Sequence, residues 1–267
     1  MMRTSNPALS DSVFRIEGTS ATDVMTLEGT ASKTMVLLGI VVLVAGIVWQ
    51  RVYPAIAAAG GEVVQQQGYM RGLTAIPPNC WLFLIGGMIG GLVAAVVTIF
   101  KPALAPISAP IYAAFEGLFL GAFSAIFEFM YPGIVPMAVV ITFGTLATLL
   151  VAYRFRLVKA TENFKLGVVA ATGGIALVYM VSIVMSLFGG GGLGIVHSAG
   201  WMGIGFSAFV VVIAALNLVL DFDFIESGVE HGAPKYMEWY AGFGLLVTLI
   251  WLYIEIVRLL AKLRSHN

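Results

Sequence analysis

The chain has 267 residues, of which 60% are hydrophobic and only 10% charged, with a formal net charge of zero. A soluble domain carries about 25% charged residues, so this chain cannot cover a water-facing surface and reads as an integral membrane protein. Zero net charge gives no electrostatic footprint for a nucleic acid, and a single cysteine, Cys80, excludes an intrachain disulfide.

Residues 1–33 are polar and lack the apolar core of a cleaved signal peptide. They read as an extramembrane arm. Within it Val24, Met25 and Leu27 either lay a short apolar edge on the membrane or belong to a flexible tail. Seven apolar runs follow, each near the ~20 residues that cross a bilayer. They cover 34–52, 81–100, 107–130, 134–153, 166–188, 198–220 and 239–261. The domain organisation is therefore an arm, 1–33, and a seven-helix transmembrane domain, 34–264. The expected fold is an all-α, seven-transmembrane-helix bundle.

The connections have distinct chemistry. Residues 54–80 are the longest, and 55–67 read as a short helix lying on the surface. Tyr131, Pro132 and Gly133 form a tight turn. A basic stretch fills 154–165, a glycine run at 189–194 reads as a hairpin, and an acidic linker runs from Glu226 to Glu238. Trp49, Trp81, Trp239 and Tyr240 fall at segment ends, where amphipathic rings settle among headgroups. Lys and Arg number nine on the side of the N-terminus and five on the other. The positive-inside rule then puts the N-terminus in the cytoplasm.

Gly86/Gly90, Gly87/Gly91 and Gly117/Gly121 are small-xxx-small pairs that let helix backbones approach. They build a bundle and carry no chemistry of their own.

The polar groups inside the apolar runs are more specific. A carboxylate at the bilayer centre costs at least ~2.5–3.5 kcal/mol. Glu116 lies well inside segment three with no basic residue near it in sequence. Asp221 follows segment six and shares a helix face with Asn217, four residues earlier. Asp223 points elsewhere and, with Glu226, reads as a cap at the segment mouth. Glu255 lies deep in segment seven with Arg258 one turn on, so the two read as an intrahelical ion pair or as part of a pathway. Glu128, beside the Tyr131 turn, is interfacial or joins the same route. By depth counting, Asp221 and Glu116 share one layer, and Glu255 and Glu128 another. Acidic groups at several depths suit a cation or proton path. Ser182 and Ser186 make a further polar stripe on segment five.

Several enzyme and receptor classes are excluded. A retinal Schiff base needs a lysine in mid-membrane, whereas Lys262 is at the end of segment seven. A serine intramembrane protease needs an embedded serine and histidine, but His197 is in a loop. There is no HExxH motif, and His197, His231 and His266 have no metal-ligand spacing. No cofactor is expected. The glycines of 200–206 fall in an apolar run with nothing else that reads as nucleotide binding.

Seven spans, EGLFLGAFSAIFE at 116–128, LNLVLDFDFIE at 216–226 and a last segment with LYIEIVRLLAKL resemble the Bax inhibitor-1 family, also called the transmembrane BAX-inhibitor-motif family. The N-terminal MRTSNPAL and MTLEGTASKT look like a bacterial subgroup, which implies the bacterial plasma membrane. The resemblance implies a bundle with helix seven central. It also implies a pH-sensitive calcium leak channel, with ion transport gated by a hydrogen-bonded acid pair on helices six and seven. Asp221 matches the helix-six aspartate. Glu255, in Leu252-Tyr253-Ile254-Glu255, matches the helix-seven one, with glutamate in place of aspartate and a longer spacing. Either helix six continues past Glu226, or Glu238 or Glu116 pairs with Asp221. Two carboxyls in contact share one proton and repel once it is lost, which makes a pH sensor. Calcium, the expected permeant ion, favours several carboxylate and carbonyl oxygens, so transient binding at Asp221 and Glu116 is expected. The rival expectation is a non-transporting membrane protein that binds and modulates a membrane protease or other membrane complex.

Overall fold

The computed structural model describes residues 24–67, 77–189 and 192–266. Residues 1–23 of the expected arm, part of the 54–80 connection and part of the glycine run lie outside the described residues. Seven long helices carry the fold: α1 Leu27–Gln67, α2 Pro78–Phe100, α3 Ala105–Met130, α4 Ile134–Arg154, α5 Glu162–Leu187, α6 Trp201–Glu230 and α7 Met237–His266. All seven are long and apolar enough to cross a membrane. Helices are what a bilayer demands, because each backbone N–H and C=O must be satisfied within its own segment. Among the described residues the one extended pairing is an isolated bridge between Val24 and Pro234.

Helix α1 starts at Leu27, inside the expected 1–33 arm, and four further boundaries differ from expectation. First, α1 runs on through Pro54 to Gln67, so 55–67 continues the first span. Pro54 removes one intrahelical donor, a loss that falls near the end of the apolar stretch Leu27–Ala58. Second, α5 starts at Glu162, with the Thr161 side chain accepting from the Phe164 N–H at 3.3 Å. Third, a four-residue helical turn, Gly194–His197, precedes α6. Fourth, α6 continues to Glu230. Asp223 and Glu226 are therefore not a cap. Asp223 pairs with Lys165 of α5 at 2.8 Å, and Glu226 accepts from the Tyr153 hydroxyl of α4. With these acids partnered from neighbouring helices, the helix has no reason to stop.

Packing follows the small residues. α1 and α2 both lie on α3. A Cβ on Gly87 would fall 2.5 Å from the Phe119 nitrogen, and one on Gly121 would fall 2.7 Å from the Ala45 carbonyl oxygen. Both glycines therefore set backbone-to-backbone contact, the van der Waals packing that drives association where lipid is as apolar as the side chains. α7 packs on α1, α3, α4 and α6. Its apolar window is 56% buried, against 44% or less for the other six.

The start of α1 is tied to the start of α7. The Met25 N–H donates to the Ala233 carbonyl at 2.7 Å. The Met25 side chain is not a membrane-surface edge: it is buried against Ile225 and Ala241. Lys33 lies 5.5 Å over the Trp239 ring.

Gly87→Val and Gly121→Val are each expected to lower stability by about 1–3 kcal/mol through overpacking. Gly86→Val, whose Cβ meets open space, should be neutral. Unfolding in detergent micelles of graded denaturant strength reads the difference.

Candidate functional site

The site is built on the α6–α7 pair and the flank of α3. Along α6, Leu218, Phe222 and Ile225 are buried in the bundle. Asp221 lies between them in sequence, half-buried, and its carboxyl faces the Thr248 hydroxyl of α7. Its Oδ2 has no hydrogen-bond partner among the described residues. The Thr248 hydroxyl also lies 3.3 Å from the Gly244 carbonyl of its own helix. A hydroxyl can donate to a carboxylate or accept from a carboxylic acid, so this contact is compatible with either protonation state of Asp221. Asn217, one turn back, is drawn to the other neighbour: its amide donates to the Thr172 hydroxyl of α5 and to the Ile213 carbonyl, each at 2.8 Å.

Glu116 lies on the other side of α7. It is half-buried, hydrogen-bonded to the Tyr112 hydroxyl one turn below, and turned toward α2. A Cβ on Gly91 would fall 2.8 Å from its Oε1, so the missing side chain there makes room for the carboxyl. Two contacts fix its depth. Tyr112 meets Phe243 edge-on, and the Ser124 and Tyr253 hydroxyls are 2.7 Å apart. α3 and α7 thus run parallel, and Glu116, four residues past Tyr112, is level with Val247. That is one residue from Thr248, so Asp221 and Glu116 share a depth on opposite sides of α7.

The other acids have structural partners, although Glu238 Oε2 and Glu255 Oε2, like Asp221 Oδ2, have none among the described residues. Glu128 accepts from the Gly133 and Val135 N–H groups at 2.5 and 2.9 Å. It caps the start of α4, where the helix dipole favours negative charge. Glu238 is 1% exposed. Its Oε1 accepts from the Thr26 N–H at 3.1 Å and the Thr26 hydroxyl at 3.0 Å. Ser182 accepts from the Leu193 N–H and so anchors the α5–α6 connection.

At the far end of α7 lies a mixed-charge cluster. Glu255 is 2% exposed, and its Oε1 accepts from the Tyr179 hydroxyl at 2.8 Å and from Arg258 at 3.3 Å. The Arg258 guanidinium sits 5.1 Å from the Tyr179 ring centre and reaches the Val196 carbonyl at 3.5 Å. Lys262 does not simply close the helix. It is buried and donates to the Gly203 carbonyl at 3.0 Å and the Ser207 hydroxyl at 2.7 Å of α6.

The model of the family described as Bax inhibitor 1 like matches residues 6–265, nearly the whole chain. The chain belongs to the Bax inhibitor 1 like family. No curated protein and no solved structure matches it. Within this family member, the acid pair implied by the motif match does not form. Asp221 faces Thr248, which is seven residues, or about 10 Å of helix rise, short of Glu255. Glu255 is occupied by Tyr179 and Arg258, and Glu238 by Thr26. Among the described residues no three of His, Cys, Asp or Glu gather as a metal site.

Sequence reasoning passed over Thr248 and Tyr112, and placed Lys262 only as a closing charge at the end of segment seven. Thr248 was legible as the lone hydroxyl in the apolar run GLLVTLIW, and Tyr112 as the residue one turn before Glu116. Lys262 was hidden by its place at the end of the run.

Glu255→Ala would strand Arg258. Breaking a buried pair costs about 3–5 kcal/mol, and the loss is expected near the low end because the Arg258 side chain is 25% exposed. A double-mutant cycle with Arg258→Met, read by chemical unfolding in micelles, should return a coupling of at least about 1 kcal/mol.

Proposed function

We propose that this family member is a pH-sensitive calcium or cation leak channel gated by buried carboxyl groups. The observation that carries the reading is the shared depth of Asp221 and Glu116. Asp221, like Glu238 and Glu255, keeps one oxygen without a partner among the described residues, and Glu116 is level with it on the opposite flank. Two acids at one depth, in helices long and apolar enough to span a bilayer, are costly unless they are used.

Thr248 changes the gating chemistry. A hydroxyl partner adds no like charge when Asp221 loses its proton, so opening cannot come from repulsion within one acid pair. The charge at this depth is instead set by Asp221 and Glu116 together. As pH rises both carboxyls shed protons, negative charge appears on either side of α7, and a cation is attracted to that layer. Calcium would bind there only transiently, because each flank offers one carboxyl and one hydroxyl, Asp221 with Thr248 and Glu116 with Tyr112, far short of its usual six to eight oxygens.

The test is calcium flux into liposomes holding the purified full-length protein, from pH 5 to pH 8. Flux should rise with pH. Asp221→Asn should flatten most of that rise, Glu116→Gln should reduce it, and Thr248→Val should shift its midpoint. Absence of flux at every pH would overturn the channel reading and favour a non-transporting partner of another membrane protein, and wild-type profiles in both Asp221→Asn and Glu116→Gln would overturn gating by these carboxyls.

A further inference from the structure

Between α1 and α4 a cleft of about 260 Å³ opens sideways from the bundle. Its rim is Val42 and Gly46 of α1 and Val139 and Phe143 of α4, all exposed, and Leu249 and Tyr253 of α7 form part of its floor. We propose that this cleft binds one acyl chain of a membrane phospholipid.

Depth is the first argument. Val42 lies at the middle of the apolar span Leu27–Ala58, and Phe143 next to the middle of Ile134–Arg154. The mouth therefore faces hydrocarbon, not water or headgroups. The second argument is the chemistry of the lining. Its hydroxyls are already engaged: Ser124 with Tyr253 at 2.7 Å, and Thr142 with the Ala138 carbonyl at 2.8 Å. Nothing there asks for a polar ligand, and a water molecule would lack the two to four partners that it needs. An apolar cavity of about 150 Å³ already holds a benzene-sized hydrocarbon, so this one has room for a length of alkyl chain.

The cleft is a crevice between α1 and α4 over a floor of α7, a shape that a flexible alkyl chain can follow. At one end of the cleft stands Trp49, stacked on Tyr53 with ring centres 5.1 Å apart. Such rings favour the interface, which gives the lipid a direction: chain at the Val42 level, headgroup beyond Trp49. Binding here is independent of whether the bundle conducts ions.

The test uses the full-length protein in nanodiscs of phosphatidylcholine doped with a phosphatidylcholine bearing a photoreactive diazirine in one acyl chain. After irradiation, label should concentrate on α1 residues 38–49 and α4 residues 135–143. Gly46 has open space at its Cβ, so Gly46→Phe fills the cleft and should lose that label. Val139→Trp fills it from the α4 side with the same result. Gly39→Phe, equally open but outside the lining, should keep the label. Label spread evenly over the lipid-facing helices, or cleft label unchanged in both filling variants, would overturn the proposal. So would protein–protein crosslinks across this face in place of lipid label, which would make a second copy the occupant.

Discussion

A polar group carried to membrane depth has to find its partner inside the protein, and this requirement organises the last helix. α7 meets it at five levels, with one oxygen each of Asp221, Glu238 and Glu255 left over. Glu238 takes Thr26 at one end, Thr248 takes Asp221 midway, and Tyr253 takes Ser124. Glu255 then takes Tyr179 and Arg258, and Lys262 takes Gly203 and Ser207. Hydrophobic burial adds little between helices immersed in lipid. The specificity of which helix meets which therefore falls to these polar contacts and to the small residues that let backbones touch.

The two halves of α7 have opposite electrostatic character. Around Thr248 the neighbours are acids without a basic partner among the described residues. Around Glu255 one carboxylate is outnumbered by Arg258 and Lys262, both reaching toward α6 or its connection. On the proposed channel reading, a cation drawn to the Asp221 level would be repelled on continuing along the α6–α7 seam. Glu116, on the α2–α3 flank, lies away from the basic end. The asymmetry follows from where the sequence places Arg258 and Lys262, one turn apart on the same helix.

Length and apolar content made the seven spans legible, and the depth count correctly placed Asp221 level with Glu116. Helix ends were less legible, for a physical reason. DFDFIESGVE reads as an exit into water because its acids have no partners nearby in sequence. Their partners, Lys165 and Tyr153, come from other helices. The same holds for Glu238, which belongs to a linker by sequence and to a buried contact by structure. Gly87 and Gly121 announced close packing, but Gly91 did not announce that its missing side chain makes room for Glu116. The pairing of Asp221 with Thr248 rather than Glu255 was visible only as a spacing that did not fit. Helix rise turns seven residues into about 10 Å, and no side chain spans that gap.

The Thr26–Glu238 contact joins residues 212 apart in sequence. It holds the entry of the first span against the entry of the last, so the bundle closes on itself like a ring with a clasp. During synthesis α1 emerges and inserts long before Met237 exists. For all that time Thr26, Met25 and the first turn of α1 have no seat. The clasp can shut only when the seventh helix has entered the bilayer, and it shuts on whatever the intervening helices have already built. Completion of the fold is thereby registered at the chain's beginning, and the N-terminal segment is fastened last although it is made first.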